Sequence, residues 1–173
     1  LRSRRLPSVP KRGLRPTPAR VKESLFAILG ERVEGASVLD MYAGTGALGF
    51  EALSRGAGWV TFVESNAHAA MSLRQAAREY RVEARCEILA TTAERAVGRL
   101  SQPYDLVFVD PPYAVGFPGE PLAALRERGL LGEGALVVFE HSARRSPATP
   151  GFRAVREERY GEVALAFLRE SGA

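Results

Sequence analysis

The sequence predicts an α/β fold built on a mostly parallel sheet with helices on both faces. Three observations carry this prediction. From residue 37 onward, short apolar runs alternate with helix-patterned stretches, as strands joined by crossover helices do. The first apolar run leads into a glycine-rich loop holding Gly44, Gly46 and Gly49. The last two strand-like runs flank Tyr160-Gly161 with no helix between them, so they read as an antiparallel hairpin.

The chain has 173 residues, a length that fits one domain with a substantial core. Its 46% hydrophobic and 25% charged content is ordinary for a globular protein. No apolar run is long enough to cross a membrane, and no leader with a basic start and apolar middle is recognised. Cys86 is the only cysteine, which excludes an internal disulfide and a cysteine-rich zinc site. It lies in a strand-like run and reads as a packed small hydrophobe. His68 and His141 are far apart in sequence, so no metal site is expected. These features point to a cytoplasmic protein.

The net charge of +4 is unevenly divided. Residues 1–22 hold Arg2, Arg4, Arg5, Lys11, Arg12, Arg15, Arg20 and Lys22 and no acid. The remainder carries 16 basic against 20 acidic residues. The expected organisation is therefore a basic arm over residues 1–22, running into the first helix, and one domain over 23–173. A basic arm on an acidic domain points to a polyanionic partner, most simply nucleic acid. The alternative is a solvated tail with no partner.

In order, Thr17 is the expected N-cap and Pro18 the first residue of a helix ending at Gly30, with Val21, Leu25, Phe26, Ile28 and Leu29 on its apolar face. Strands are expected at 37–41, 59–64, 85–89, 106–110 and 135–140. Helices are expected at 47–54, 67–80, 92–100 and 121–128. The final hairpin pairs 152–158 with 162–168 about the turn Tyr160-Gly161. Trp59 and Phe62 read as core, and Glu140 as a structural hydrogen-bonding residue at a strand end.

The glycine loop, Asp40-Met41-Tyr42-Ala43-Gly44-Thr45-Gly46-Ala47-Leu48-Gly49, fits a dinucleotide fingerprint, so a nicotinamide enzyme must be weighed. Asp40 decides against it. A pyrophosphate on the following helix N-terminus would meet a carboxylate there. S-adenosylmethionine has no phosphate and carries an ammonium and a sulfonium, which that carboxylate favours. Glu64, at the end of the second strand, would accept hydrogen bonds from ribose hydroxyls.

The fourth strand ends in Asp110-Pro111-Pro112-Tyr113. Two prolines stop the strand because neither donates a ladder hydrogen bond. The carboxylate and the proline carbonyls are fixed acceptors. They suit an exocyclic amine, whose N–H groups they would hold so that its lone pair faces a sulfonium methyl. Tyr113 would stack on the extruded base. The four residues alone do not select one base.

With these residues placed, the sequence resembles the RsmD family, bacterial methyltransferases of the N2 amine of one guanine in 16S ribosomal RNA. The resemblance rests on Arg15-Pro16-Thr17, on Arg20 through Phe26, on Leu39-Asp40 through Gly49, on Glu51 through Ala57, on Glu64, and on Asp105 through Tyr113. It implies a class I S-adenosylmethionine-dependent (Rossmann-like) fold, with a mostly parallel seven-stranded sheet ending in an antiparallel hairpin and a short basic N-terminal arm. It implies cofactor contacts from Asp40, Tyr42, Ala43, Gly44, Thr45, Gly46, Gly49, Glu64 and Asp110. Thr92 stands where relatives often carry Asp or Asn toward the adenine amine, and it offers only a hydroxyl. Catalysis falls to Asp110, Pro111, Pro112 and Tyr113. RNA contacts fall to Arg2, Arg4, Arg5, Lys11, Arg12, Arg15, Thr17 and Arg20, and Arg144 and Arg145 either extend that patch or lie in a solvated loop. The implied partner of this expected monomer is 16S rRNA within the small ribosomal subunit. Two alternatives stay open: an amino-methyltransferase of adenine or cytosine in DNA or another RNA, and a module that binds cofactor and RNA without catalysis.

Overall fold

The structure is a computed structural model that describes residues 18–112 and 115–172. Seven strands form one sheet: β1 (Ser37–Asp40), β2 (Trp59–Val63), β3 (Cys86–Leu89), β4 (Tyr104–Val109), β5 (Leu131–Ser142), β6 (Phe152–Tyr160) and β7 (Val163–Glu170). Their order across the sheet is β3-β2-β1-β4-β5-β7-β6. The first five strands run parallel, and β7 lies antiparallel between β5 and β6. Among the described residues, five α-helices accompany them: α1 (Ala19–Leu29), α2 (Ala47–Ser54), α3 (Ala67–Glu79), α4 (Ala93–Val97) and α5 (Gly119–Glu127). The predicted parallel sheet with a terminal hairpin is the one observed.

Strand residues alternate between two apolar layers, as a pleated chain requires. Val38, Leu106, Phe108, Leu136 and Val138 pack with the apolar faces of α1, α2 and α3. Leu39, Val107, Val109, Val137 and Phe139 pack on the opposite side with α4 and α5. The central strands are buried on both faces, which explains why they read as nearly continuous apolar runs. Cys86 is buried among the α1–α3 layer, and burial pushes its thiol up to about 11, out of the reactive range. Among the described residues, no helix is long and apolar enough to cross a membrane.

Several boundaries differ from the expected ones for local reasons. Pro18 is the N-cap of α1, not its first helical residue; its backbone is extended (φ −54°, ψ 140°), and its carbonyl receives the N–H groups of Val21 and Lys22. Thr17 lies outside the described residues. Helix α4 stops at Val97, with Gly98 as its C-cap. Arg128 closes that end by donating to the carbonyls of Val97 and Leu100. Strand β5 starts earlier than its apolar run, because Leu131 pairs with Tyr104 across an irregularity in the ladder. The hairpin turn falls on Gly161-Glu162, one residue later than expected, since Tyr160 still pairs with Val163. Gly161 supplies the positive φ of 61° that this turn needs.

Phe26 anchors α1 to the sheet. Its ring meets Phe108 edge-on at 5.9 Å between centroids, and the Arg55 guanidinium lies over it at 5.1 Å. Phe26→Ala should lower unfolding free energy by about 3–5 kcal/mol, the usual loss for an emptied aromatic core site. Chemical denaturation of both proteins measures this, and a loss below about 1 kcal/mol would contradict the anchoring role.

Candidate active site

The sheet order puts β1 between β2 and β4, so the chain switches direction across the sheet at β1. Clefts open at the carboxyl ends of strands at such a point. Asp40 stands in register with Phe108, and the Met41 N–H donates to the Phe108 carbonyl at 3.0 Å. The loop after β1 and the Asp110-Pro111-Pro112 segment after β4 therefore leave the sheet side by side.

The loop is held by two acids. Glu64, which is buried, accepts the Gly44 N–H on Oε1 at 2.9 Å and the Asn66 N–H on Oε2 at 2.7 Å. Asn66 in turn caps α3 by accepting the Ala69 N–H at 2.9 Å. Glu64 thus ties the glycine loop to the start of α3. Carboxylate oxygens have further lone pairs, so Glu64 retains acceptors for a pair of ligand hydroxyls. Asp40 accepts the Gly49 N–H at 3.2 Å, at the N-terminus of α2. A carboxylate of the chain already holds the place where a pyrophosphate would rest, which matches the argument against a dinucleotide.

Asp40 is 3% exposed, and its pKa is raised to about 7. Burial is the main cause; the Gly49 N–H opposes it, and the negative Glu64 adds to it. Such a group favours a neighbouring cation, so the loop fits the ammonium end of S-adenosylmethionine.

The three glycines do different work. Gly44 and Gly46 take positive φ angles of 56° and 81°. A Cβ on Gly46 would lie 2.6 Å from both Leu73 and Phe50, and one on Gly49 would lie 2.2 Å from Phe62. Gly49 therefore serves close packing of α2 on β2. Ala43 joins the loop to β2 by donating its N–H to the Val63 carbonyl at 2.9 Å, and Thr45 lies half-buried within the loop. Tyr42 is half-buried with its hydroxyl enclosed and without a hydrogen-bond partner among the described residues, and burial with the nearby Glu94 raises its pKa. Thr92 is the N-cap of α4, accepting the Arg95 N–H at 3.3 Å, and its hydroxyl keeps its own proton to donate.

Asp110 and Pro111 are half-buried and Pro112 is exposed. The Pro112 carbonyl accepts the Val115 N–H at 2.9 Å, closing a turn. Tyr113 lies outside the described residues, as do Arg2, Arg4, Arg5, Lys11, Arg12, Arg15 and Thr17. Arg20 is exposed on the first turn of α1, against Gly161 of the β6–β7 turn. Ser24, one turn on, bonds through its hydroxyl to that of Tyr160. Since Ser142 pairs with Val163, this turn sits at the carboxyl end of β5, on the same side of the sheet as the cleft. Arg144 pairs with Glu162 on the surface, and Arg145 is exposed beside it. Among the described residues, no group of His, Cys, Asp or Glu is arranged to hold a metal.

Asn66 was not singled out from sequence, although Asn before a helical run is a legible N-cap. The structure also corrects the expectation for Glu140. Among the described residues, its Oε1 is buried with no hydrogen-bond partner.

This sheet order, with a glycine loop after β1 and a proline-stopped acid after β4, defines the class I methyltransferase fold. The family model described as "Conserved hypothetical protein 95" matches residues 1–169. The chain belongs to that family, the RsmD family. It is 33% identical over 165 residues to the Ribosomal RNA small subunit methyltransferase D of Escherichia coli (strain K12), covering 94% of this chain and 83% of the relative. The protein of that name from Haemophilus influenzae is 35% identical over 86% of this chain and 79% of its own. Among solved structures, yhhF from Escherichia coli superposes with a TM-score of 0.83 at 29% identity, covering 93% of this chain and 90% of that one.

The raised Asp40 pKa fixes a sign. Between its ordinary 3.8 and about 7 the folded chain holds a proton that the unfolded chain releases, so stability falls as pH rises through that window. The full effect is on the order of 4 kcal/mol. Asp40→Asn keeps an acceptor for Gly49 and should flatten this slope in denaturation curves taken from pH 4 to 8, with no cofactor added. An unchanged slope would contradict the assignment.

Proposed function

We propose that the chain methylates the exocyclic N2 amine of a guanine in 16S rRNA, on an assembled or assembling small subunit in the cytoplasm. The observation that carries this is the β1–β4 register, which sets the Asp40–Gly49 loop beside Asp110–Pro112. The rRNA substrate is supported by the relatives from Escherichia coli and Haemophilus influenzae named Ribosomal RNA small subunit methyltransferase D. The choice of guanine N2 follows from the motif resemblance.

Asp40, Tyr42, Ala43, Gly44, Thr45, Gly46, Gly49, Glu64 and Thr92 would hold S-adenosylmethionine. Glu64 takes the ribose hydroxyls, and the Thr92 hydroxyl meets the adenine. The bound cofactor supplies an electrophilic methyl group on a positively charged sulfur. The Asp110 carboxylate accepts one N–H of the guanine amine. The second N–H falls to the Pro111 carbonyl, because that of Pro112 is engaged by Val115. Two such acceptors fix the amine's orientation and stabilise the positive charge that develops on it. The amine then sheds its proton readily, so Asp110 serves as an orienting acceptor and not as a strong base. Tyr113 stacks on the extruded base. The arm, Arg2 through Arg15, tracks RNA backbone, and Arg20 continues that line to the cleft rim. Residues 1–22 thus act as the RNA-binding arm of a monomeric enzyme whose methyltransferase domain is 23–173.

Labelled methyl transfer to small subunits lacking the modification, followed by nucleoside mass analysis, should yield N2-methylguanosine. Asp110→Ala should lower turnover by at least about 100-fold, the scale of a lost transition-state contact, while calorimetry shows cofactor binding retained. Near-normal turnover in that variant would sink the role of Asp110. Deleting residues 1–13 should weaken RNA binding and flatten its salt dependence, leaving cofactor affinity unchanged. Equal RNA affinity after deletion would refute the arm's role.

A further inference from the structure

We infer that Glu140 reads the target base as guanine by accepting its N1–H; this rests on the guanine-N2 reading above. Glu140 lies near the end of β5, the strand beside β4. Val109 pairs with Phe139 at the end of the β4–β5 ladder, so Asp110 and Glu140 are the next residues along two chains whose ordinary strand spacing is roughly 4.8 Å. Phe108 and Val138 face the α1–α3 layer, and strand alternation carries Asp110 and Glu140 to that same side.

Oε1 of Glu140 is buried and has no hydrogen-bond partner among the described residues. A buried acceptor left unpaired is unfavourable, and a donor arriving with a ligand would satisfy it. The cross-strand neighbour on β7 is Leu165, which offers only a hydrocarbon side chain. On this inference the donor comes from the substrate side, where Asp110 also ends its strand.

Guanine supplies that donor. On its Watson–Crick edge a ring N–H stands beside the exocyclic amine. Adenine and cytosine place a ring nitrogen lone pair beside theirs, which a carboxylate oxygen repels. With the amine held by Asp110 and Pro111, an acceptor one strand away meets the adjoining ring position. Two carboxylates at neighbouring strand ends then divide the labour: Asp110 orients the reacting nitrogen, and Glu140 selects the base that carries it. Adjacent acceptors of this kind suit a base with adjacent donors, since an analogue lacking one donor leaves a buried oxygen unpaired.

The test compares guanine with 2-aminopurine at the target position of small-subunit rRNA, assembled by splinted ligation. 2-Aminopurine keeps the N2 amine but presents a lone pair at N1. The wild-type enzyme should favour guanine by about 10- to 100-fold in kcat/KM, the usual value of one good polar base contact. Glu140→Gln, whose amide can donate to that lone pair, should lose activity on guanine and gain on 2-aminopurine, collapsing the ratio to within about 3-fold. Glu140→Asp keeps the carboxylate and should retain the preference at reduced rate. Cofactor affinity, measured by calorimetry, should be unchanged in both variants. If Glu140→Gln lowers both substrates equally and leaves the ratio intact, Glu140 is structural and the inference fails. A wild-type product other than N2-methylguanosine overturns the base assignment itself, whatever the variants do.

Discussion

Everything chemical in this protein depends on the pairing of β1 with β4. These strands are not consecutive in the chain; β2 and β3 and their crossover helices lie between them in sequence. The pairing is made by buried apolar residues, Val38 and Leu39 against Leu106 and Val107, with the ladder closed at its carboxyl end by Met41 on Phe108. Because β1 connects toward β2 and β4 toward β5, this is the switch point at which open α/β sheets form a cleft. The glycine loop and the Asp-Pro-Pro turn could each exist elsewhere as an unremarked strand ending. Adjacency sets them side by side, and in the proposed function they are two halves of one site.

The carboxyl ends of β2, β1, β4 and β5 carry Glu64, Asp40, Asp110 and Glu140 in spatial order. Two of these acids do structural work first: Asp40 holds the Gly49 N–H and Glu64 holds those of Gly44 and Asn66. Burying carboxylates is electrostatically unfavourable, which is why Asp40 is shifted toward neutrality. A cation entering the cleft relieves that. The same charge pattern repels phosphate, so a phosphate-rich substrate must be drawn in by groups outside the cleft, and the arginines of residues 1–22 have the opposite sign.

Much of this was legible in the sequence. The alternation of apolar runs is a direct consequence of strands buried on both faces, and the final hairpin announced itself by the missing helix between two strands. Asp40, Glu64 and Asp110 could be placed at strand ends because each closes such a run. The rest was not legible, because it depends on contacts between distant segments. The early start of β5 comes from Leu131 meeting Tyr104. The role of Gly49 comes from Phe62 on another strand. Pro18 reads as a first helical residue from composition, yet it caps α1 through its carbonyl. Glu140 looked like an ordinary strand-end acid, and only the fold shows its oxygen enclosed without a donor.

The most direct test of the shared cleft is a crystal structure with S-adenosylhomocysteine, the thioether left after methyl transfer. Its amino-acid end should lie over the Asp40–Gly49 loop, its ribose hydroxyls on Glu64, and its sulfur toward Asp110 and Pro111. A ligand bound away from the ends of β1 and β2, or one whose sulfur faces away from the Asp110–Pro112 turn, would contradict the assembly of cofactor and amine sites by the β1–β4 pair.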